Sequence, residues 1–344
     1  MSCNSGLDLF VDDSASQPAV GLIGIARMAA SASTLQTKRR VEYLEIEARR
    51  FIGRCSSPRM PFAWTINPYR GCEFGCRYCY ARYTHEFMEL RDPELFETRI
   101  FAKRFSPEAF RSDLARVRPA ESICIGTATD PYQPAERRYR ITRKILDVLA
   151  AGSGRKAGIT TKSDLIVRDI DLLQRIAQAN SIHVNITVTT VDERLARLLE
   201  PLAPRPALRL DAVRALTDAG IRCTVLAHPV MPLINDSDEA LDALAAAAAR
   251  AGAVSLSAAP LFLKPCSKPV FFAFLDAHFP AFAARYRQRY EHQAYLRGAY
   301  PEMLRQRVER LIARYGFLPR GVAELAEEWP SGPQLKLFAD NERA

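Results

Sequence analysis

No stretch of the 344 residues approaches the roughly 18–20 consecutive apolar positions that a membrane-spanning helix needs. The mildly apolar run Ala19–Ala32 is interrupted by Arg27 and lacks a basic leader, so it reads as a loose segment rather than a signal peptide. Histidine is scarce, at five scattered residues with no evident partners. Eight cysteines are too few to staple a chain of this length with disulfides, which points to a reducing, cytoplasmic setting. Acidic residues are also short, 39 against 48 lysines and arginines, giving a net charge of +9. That excess fits an anionic partner, nucleic acid first, or simply a basic surface that aids solubility. What remains, 48% apolar and 25% charged, is the composition of an ordinary globular protein.

Against this background, three cysteines fall within eight residues. Cys72, Cys76 and Cys79 are spaced C-x3-C-x2-C inside NPYRGCEFGCRYCYARY. Thiolates this close can converge on one soft metal centre. Three sulfurs can bind three irons of a [4Fe–4S] cube and leave the fourth iron open to a small molecule, whereas electron-transfer cubes take four cysteines. Gly71 and Gly75 before the first two cysteines allow tight turns near the metal. Tyr78 and Tyr80 flank the third and can wall it from water. Zinc is the alternative; it wants four ligands, and only His85 and Cys55 lie near enough in sequence to supply the last. No other close-spaced group exists for a second cluster, and Cys3, Cys223 and Cys266 read as free thiols.

Apolar, β-branched runs recur at Phe62–Ile66, Ser122–Ile125, Ala157–Thr161, Ile182–Thr189, Cys223–Ala227 and Val254–Ala258. Helical patterns lie between them: Arg138–Ala150, Arg168–Ala179, Leu208–Ala219 closed by Gly220, and the alanine-rich Ala240–Ala251. Six buried strands alternating with helices imply parallel pairing through right-handed crossovers. Nearly every run ends in polar residues, among them Thr127, Thr129 and Asp130, Lys162 to Asp164, Thr189 to Asp192, and His228 and Asn235. In α/β barrels the carboxyl ends of the strands build the active site, so a partial (β/α)6 barrel is favoured over a doubly wound sheet. Asp130 before Pro131 reads as a turn cap rather than a catalytic acid. The expected organisation is a flexible arm over 1–38, the barrel over 39–260, an aromatic and basic helical extension over 261–325 and a frayed tail over 326–344. Val41 to Ile46 reads as a strand. Aromatics interleaved with arginine over Arg285–Tyr315 could contact nucleic acid or, at helical spacing, simply pack on the barrel.

The blocks INPYRGCEFGCRYCYARYTHEF, GTATDPYQPAE, TKSDLIVRDIDLL, TVTTVDERLARLLEP and PVMPLIND together resemble the radical S-adenosylmethionine (SAM) superfamily, and within it the spore photoproduct lyase-like, or DNA repair photolyase-like, branch. That resemblance implies a [4Fe–4S] cluster on Cys72, Cys76 and Cys79 and SAM chelated to the open iron. It also implies an electron donor such as flavodoxin or ferredoxin, and a 5′-deoxyadenosyl radical that abstracts hydrogen from a substrate such as damaged DNA. It assigns Tyr78, Thr129, Lys162 and Thr187 to SAM and Tyr80 to a catalytic relay. Lys162 also stands out physically, because a lysine at a buried strand end needs an anion and the SAM carboxylate would supply one. One position departs from the pattern. The branch returns hydrogen from a cysteine where this chain has Thr127, and a threonine O–H bond is too strong for that role. Cys124, three residues earlier, should point to the opposite strand face unless a bulge intervenes. The same chemistry on a small molecule or protein, and a non-enzymatic metal-stabilised nucleic-acid-binding protein, are the other readings.

Overall fold

The computed structural model describes residues 21–38, 41–57 and 60–319. Among these residues eleven strands follow in chain order: β1 Ser33–Lys38, β2 Val41–Ile46, β3 Ile52–Arg54, β4 Trp64–Ile66, β5 Tyr69–Arg70, β6 Arg99–Lys103, β7 Ser122–Ile125, β8 Lys156–Thr161, β9 Ser181–Thr187, β10 Cys223–Val230 and β11 Ser255–Pro260. The larger sheet runs β11-β10-β9-β8-β7-β4-β3. From β4 to β11 every pairing is parallel, and β3 closes the β4 edge antiparallel. These are the six strands of the expected partial barrel.

Alternation along the strands sorts the side chains. Ile123 and Ile125 of β7, Ala157 and Ile159 of β8, and Val184 and Ile186 of β9 belong to the main core. There they meet Ile145, Leu146 and Leu149 of helix Ile141–Ala150 and Leu172, Leu173 and Ile176 of helix Ile170–Ala177. The crossovers that place these helices on the outer face leave the other face, and the strand ends, for the site. Gly220, at φ +80°, ends helix Pro206–Asp218 as the left-handed residue expected after it.

A second sheet, ordered β1-β2-β6-β5, was only partly anticipated. Strand β2 matches the alternating stretch after Val41. Residues 21–38, expected within a loose arm, instead form helix Gly24–Ala30 and strand β1, which pairs antiparallel with β2. Residues 1–20 of that arm and the tail over 326–344 lie outside the described residues. Strands β5 and β6 bracket the three-cysteine segment: β5 enters it, and β6, just beyond it, pairs with β5 and β2.

After β11, helices Lys268–His278, Pro280–Tyr290 and Ala299–Tyr315 make the extension. Phe271, Phe274, Tyr286 and Tyr290 bury in a second core that also holds Cys72, Phe74, Cys76 and Tyr78. The extension therefore roofs the cysteine loop. Four of its arginines are matched by carboxylates: Arg287 with Asp276, Arg305 with Glu302 and Glu309, Arg307 with Asp238, and Arg314 with Asp242. Burial of Tyr286 and Tyr290 in that second core accounts for the helical spacing of the segment's aromatics by packing.

Candidate active site

The cysteine loop is held open by its backbone. Gly71 takes φ +80° and Gly75 +66°. A Cβ on Gly71 would lie 2.8 Å from the Phe96 carbonyl oxygen, so only glycine fits that turn. Cys72 N–H donates to that same Phe96 oxygen at 2.8 Å, Arg77 N–H to Leu199 at 2.9 Å, and Cys79 N–H to Cys76 at 3.2 Å. Buried Arg82 donates to the Cys76 carbonyl at 3.2 Å and pairs with Glu97, and Ser267 Oγ donates to the Cys79 carbonyl at 2.7 Å.

Cys72, Cys76 and Cys79 open onto one cavity of about 300 Å³. Its far wall carries Thr127, Thr129, Asp130, Thr160 to Lys162, Thr187 and His228, from the carboxyl ends of β7 to β10. Burial pushes all three thiols up; for Cys76 the Lys162 and Arg209 cations oppose it, and for Cys79 Arg82 and Lys162 do. Three soft donors with cations behind them suit an anionic iron–sulfur cluster. A single zinc ion would need a fourth ligand beside them. Among the described residues no three His, Cys, Asp or Glu side chains converge on a point for one ion. His85, a fourth zinc ligand considered from sequence, keeps its Nε2 3.0 Å from the Arg99 carbonyl and packs edge-on to Phe96 and Phe101.

Thr129, read as a SAM ligand, donates its hydroxyl to the Gly71 carbonyl at 2.6 Å and accepts from Gln133 Nε2 at 2.9 Å. Gln133 also donates to Gly71 at 3.0 Å and accepts from Glu73 N–H at 3.1 Å. Together they stitch the cysteine loop to the end of β7, a role for Gln133 that sequence reading missed. Asp130 caps its turn. It accepts from Tyr132 N–H (2.9 Å), Thr161 Oγ1 (2.6 Å) and Lys162 N–H (2.7 Å).

Lys162 reaches into the cavity, its Nζ 5.8 Å from the Tyr78 ring centroid and 4.0 Å from Glu200 Oε1. The protein thus contains one anion for this lysine, which its sequence position alone did not reveal. Glu200 is fully enclosed, paired with buried Arg209 at 2.5 Å and accepting from Thr189 at 2.6 Å and from the Tyr78 hydroxyl. Burial pushes its carboxyl up, yet the Arg209 and Lys162 cations and the two hydrogen bonds hold it below its ordinary value. Tyr78 is pushed the other way, first by burial and then by Glu200. Thr187 lines the cavity, buried.

Tyr80 donates its hydroxyl to the backbone carbonyl of Thr127, and its ring lies 5.8 Å from Phe262 at the cavity mouth. Thr127 Oγ1 is held by Asn67 Nδ2 at 3.0 Å. The strand-face expectation for Cys124 meets an irregularity at Gly126. Gly126 has φ +91° and packs so closely that a Cβ would sit 2.4 Å from the Thr160 carbonyl oxygen. The strand's alternation therefore stops at Ile125 and says nothing about Thr127. Cys124 Sγ lies 3.9 Å from Thr160 Oγ1, beside a residue of the cavity wall.

Comparison with known proteins agrees with this geometry. The family model described as the radical SAM superfamily matches residues 66–245. An uncharacterised protein of Mycobacterium tuberculosis is 39% identical over 259 residues, 74% of this chain and 75% of that protein. One of Methanocaldococcus jannaschii is 27% identical over 197 residues, 57% of this chain and 71% of its own. Among solved structures, spore photoproduct lyase complexed with dinucleoside spore photoproduct aligns with a TM-score of 0.60 at 14% identity, covering 86% of this chain and 83% of that one. At that identity the likeness speaks for the fold alone.

Proposed function

Because the chain belongs to the radical SAM superfamily, we propose that it is a radical SAM enzyme whose substrate is a nucleic acid, with Cys72, Cys76 and Cys79 as the cluster ligands. Its cofactors are a [4Fe–4S] cluster and SAM. Once bound, they supply the electron transfer that splits the sulfonium C–S bond and yields the 5′-deoxyadenosyl radical for hydrogen abstraction. The observation that carries the assignment is the shared cavity: three thiols on one side and the polar ends of β7 to β10 on the other.

Each side chain then has a defined task. Lys162 would meet the SAM carboxylate, with Glu200 Oε1 4.0 Å from its Nζ helping to place it. Tyr78, its hydroxyl anchored on Glu200 and Thr189, would offer its backbone to the adenine. Thr187 adds a hydroxyl to the wall. Thr129 acts as a positioning residue, since its own hydroxyl is committed to Gly71. Tyr80 stands between the third cysteine and Thr127, at the substrate's entrance. Support for a nucleic-acid substrate comes from the net charge of +9 and from a structural neighbour whose bound ligand is a dinucleoside photoproduct. Thr127 is unsuited to return a hydrogen atom, so the proposed reaction does not pass through it.

The test is isotope transfer. Anaerobic enzyme with SAM, reductant and deuterated candidate substrates should place deuterium in 5′-deoxyadenosine with nucleic acid. Label appearing only with small metabolites or peptides would overturn the substrate class and leave the SAM chemistry standing.

A further inference from the structure

A second cavity, of about 390 Å³, lies on the other side of the Asn67–Ala128 contact and is lined by Arg50, Arg54, Arg70, Lys103 and Arg116. One carboxylate, Asp113, stands among these five cations. Asp113 already accepts from Phe51 N–H at 2.7 Å and lies 3.9 Å from Arg116. Arg54 is 3.4 Å from Glu121, outside the lining, and stacks over Trp64 at 5.2 Å. Among the described residues, Arg50, Arg70 and Lys103 have no carboxylate at ion-pair distance. Burial, and then the like charge of Arg70, pull the Lys103 ammonium down to about 7 against the opposing pull of Asp113. Burial lowers Arg70 as well. Cations gathered in a concave site with too little countercharge are stabilised by an anion from outside.

The position of this pocket identifies the anion. Asn67, on its wall, holds Thr127 Oγ1 at 3.0 Å and Ala128 N–H at 2.7 Å, and Thr127 lines the cysteine cavity. Lys264 sits 3.5 Å over the Tyr83 ring and 6.0 Å from Phe262, which lines the cysteine cavity. The basic pocket thus adjoins the cysteine cavity through the Asn67–Thr127 contact, and one further cation, Lys264, stands beside the cavity's Phe262. A nucleotide entering that cavity must leave its stack, and its strand then needs a hold on the flanking backbone. Resting on the nucleic-acid reading above, we propose that the Arg50–Arg70–Lys103 pocket binds a phosphodiester of the substrate strand adjoining the nucleotide presented to the cysteine cavity.

The probe is a fluorescent single-stranded oligodeoxythymidine, with anisotropy measured on the anaerobic holoenzyme over a range of salt. The paired substitution Arg50→Gln and Lys103→Gln should weaken binding roughly ten- to hundredfold and flatten the salt slope by about 0.7 per lost phosphate contact. Uncoupled formation of 5′-deoxyadenosine from SAM should stay within about twofold, consistent with uniform loss of phosphate contacts. The charge-keeping pair Arg50→Lys and Lys103→Arg should restore most of the affinity, which a folding defect would not allow. Equal weakening by the exposed control pair Arg285→Gln and Arg289→Gln would reduce the effect to net charge and overturn the subsite. Wild-type affinity in the Gln pair would overturn the subsite while leaving a nucleic-acid substrate in place. No oligonucleotide binding by the wild type would overturn both. Inorganic phosphate or a mononucleotide competing as strongly, per molecule, as the oligonucleotide would assign the pocket to a free anion and overturn the strand.

Discussion

Gly71 leaves the chain little freedom beside the first cysteine. Positive φ costs a non-glycine residue about 1–3 kcal/mol, and here an added methyl also meets the Phe96 carbonyl at 2.8 Å and the Arg99 carbonyl at 3.0 Å. Gly71→Ala should therefore lower thermal stability and displace Cys72, whose N–H bonds that same Phe96 oxygen. Iron content per chain, measured after anaerobic reconstitution, should drop well below wild type; an unchanged content would show that the turn tolerates a side chain. The cysteine spacing made these residues legible in the sequence, because local spacing is what a metal loop encodes. Gln133 and Glu200 were not legible. They lie about sixty residues or more from the loop they support, and nothing local marks a glutamine or glutamate as its partner.

The strand ends of β8 and β9, and the start of helix Pro206–Asp218, meet in the Tyr78–Glu200–Arg209 network. Arg209 and Glu200 are both about 1% exposed at the side chain. Removing one partner of such a pair leaves the other charge buried, at a cost of about 3–5 kcal/mol. Glu200→Gln should lower the unfolding free energy by roughly that amount in denaturant titration and weaken SAM binding through the loss of order at Lys162 and Tyr78. A loss below about 1 kcal/mol would mean the network relaxes into solvent. The six parallel strands were legible because fully buried strands write continuous β-branched runs. The sheet of β1, β2, β5 and β6 was not. Strand β5 has two residues, too few for a period, and β1 is polar, its place set by pairing with β2. Several strand-end polar residues proved to be caps: Asp192 accepts from Arg194 and Leu195 N–H, and Asn235 binds Met231 N–H.

For the whole molecule, acid is a sensitive probe because His85 is buried neutral between the cysteine loop and β6. Burial lowers its pKa from 6.5 to about 4. In the unfolded chain the imidazole takes a proton near pH 6.5, so this contribution is complete above that pH and is lost as pH falls toward 4. The linked loss is about 3 kcal/mol. Melting temperature should fall between pH 6.5 and 4, and His85→Gln should flatten that part of the profile; parallel profiles would put the acid sensitivity elsewhere. All of the proposed chemistry depends on an iron–sulfur cube held by three thiolates with one iron left for SAM. Electron paramagnetic resonance of the reduced, reconstituted protein tests it most directly. The account predicts about four irons and four sulfides per chain, a cluster signal whose g-values shift when SAM is added, and no such signal in Cys76→Ala. A signal indifferent to SAM, or full cluster occupancy without Cys76, would contradict it.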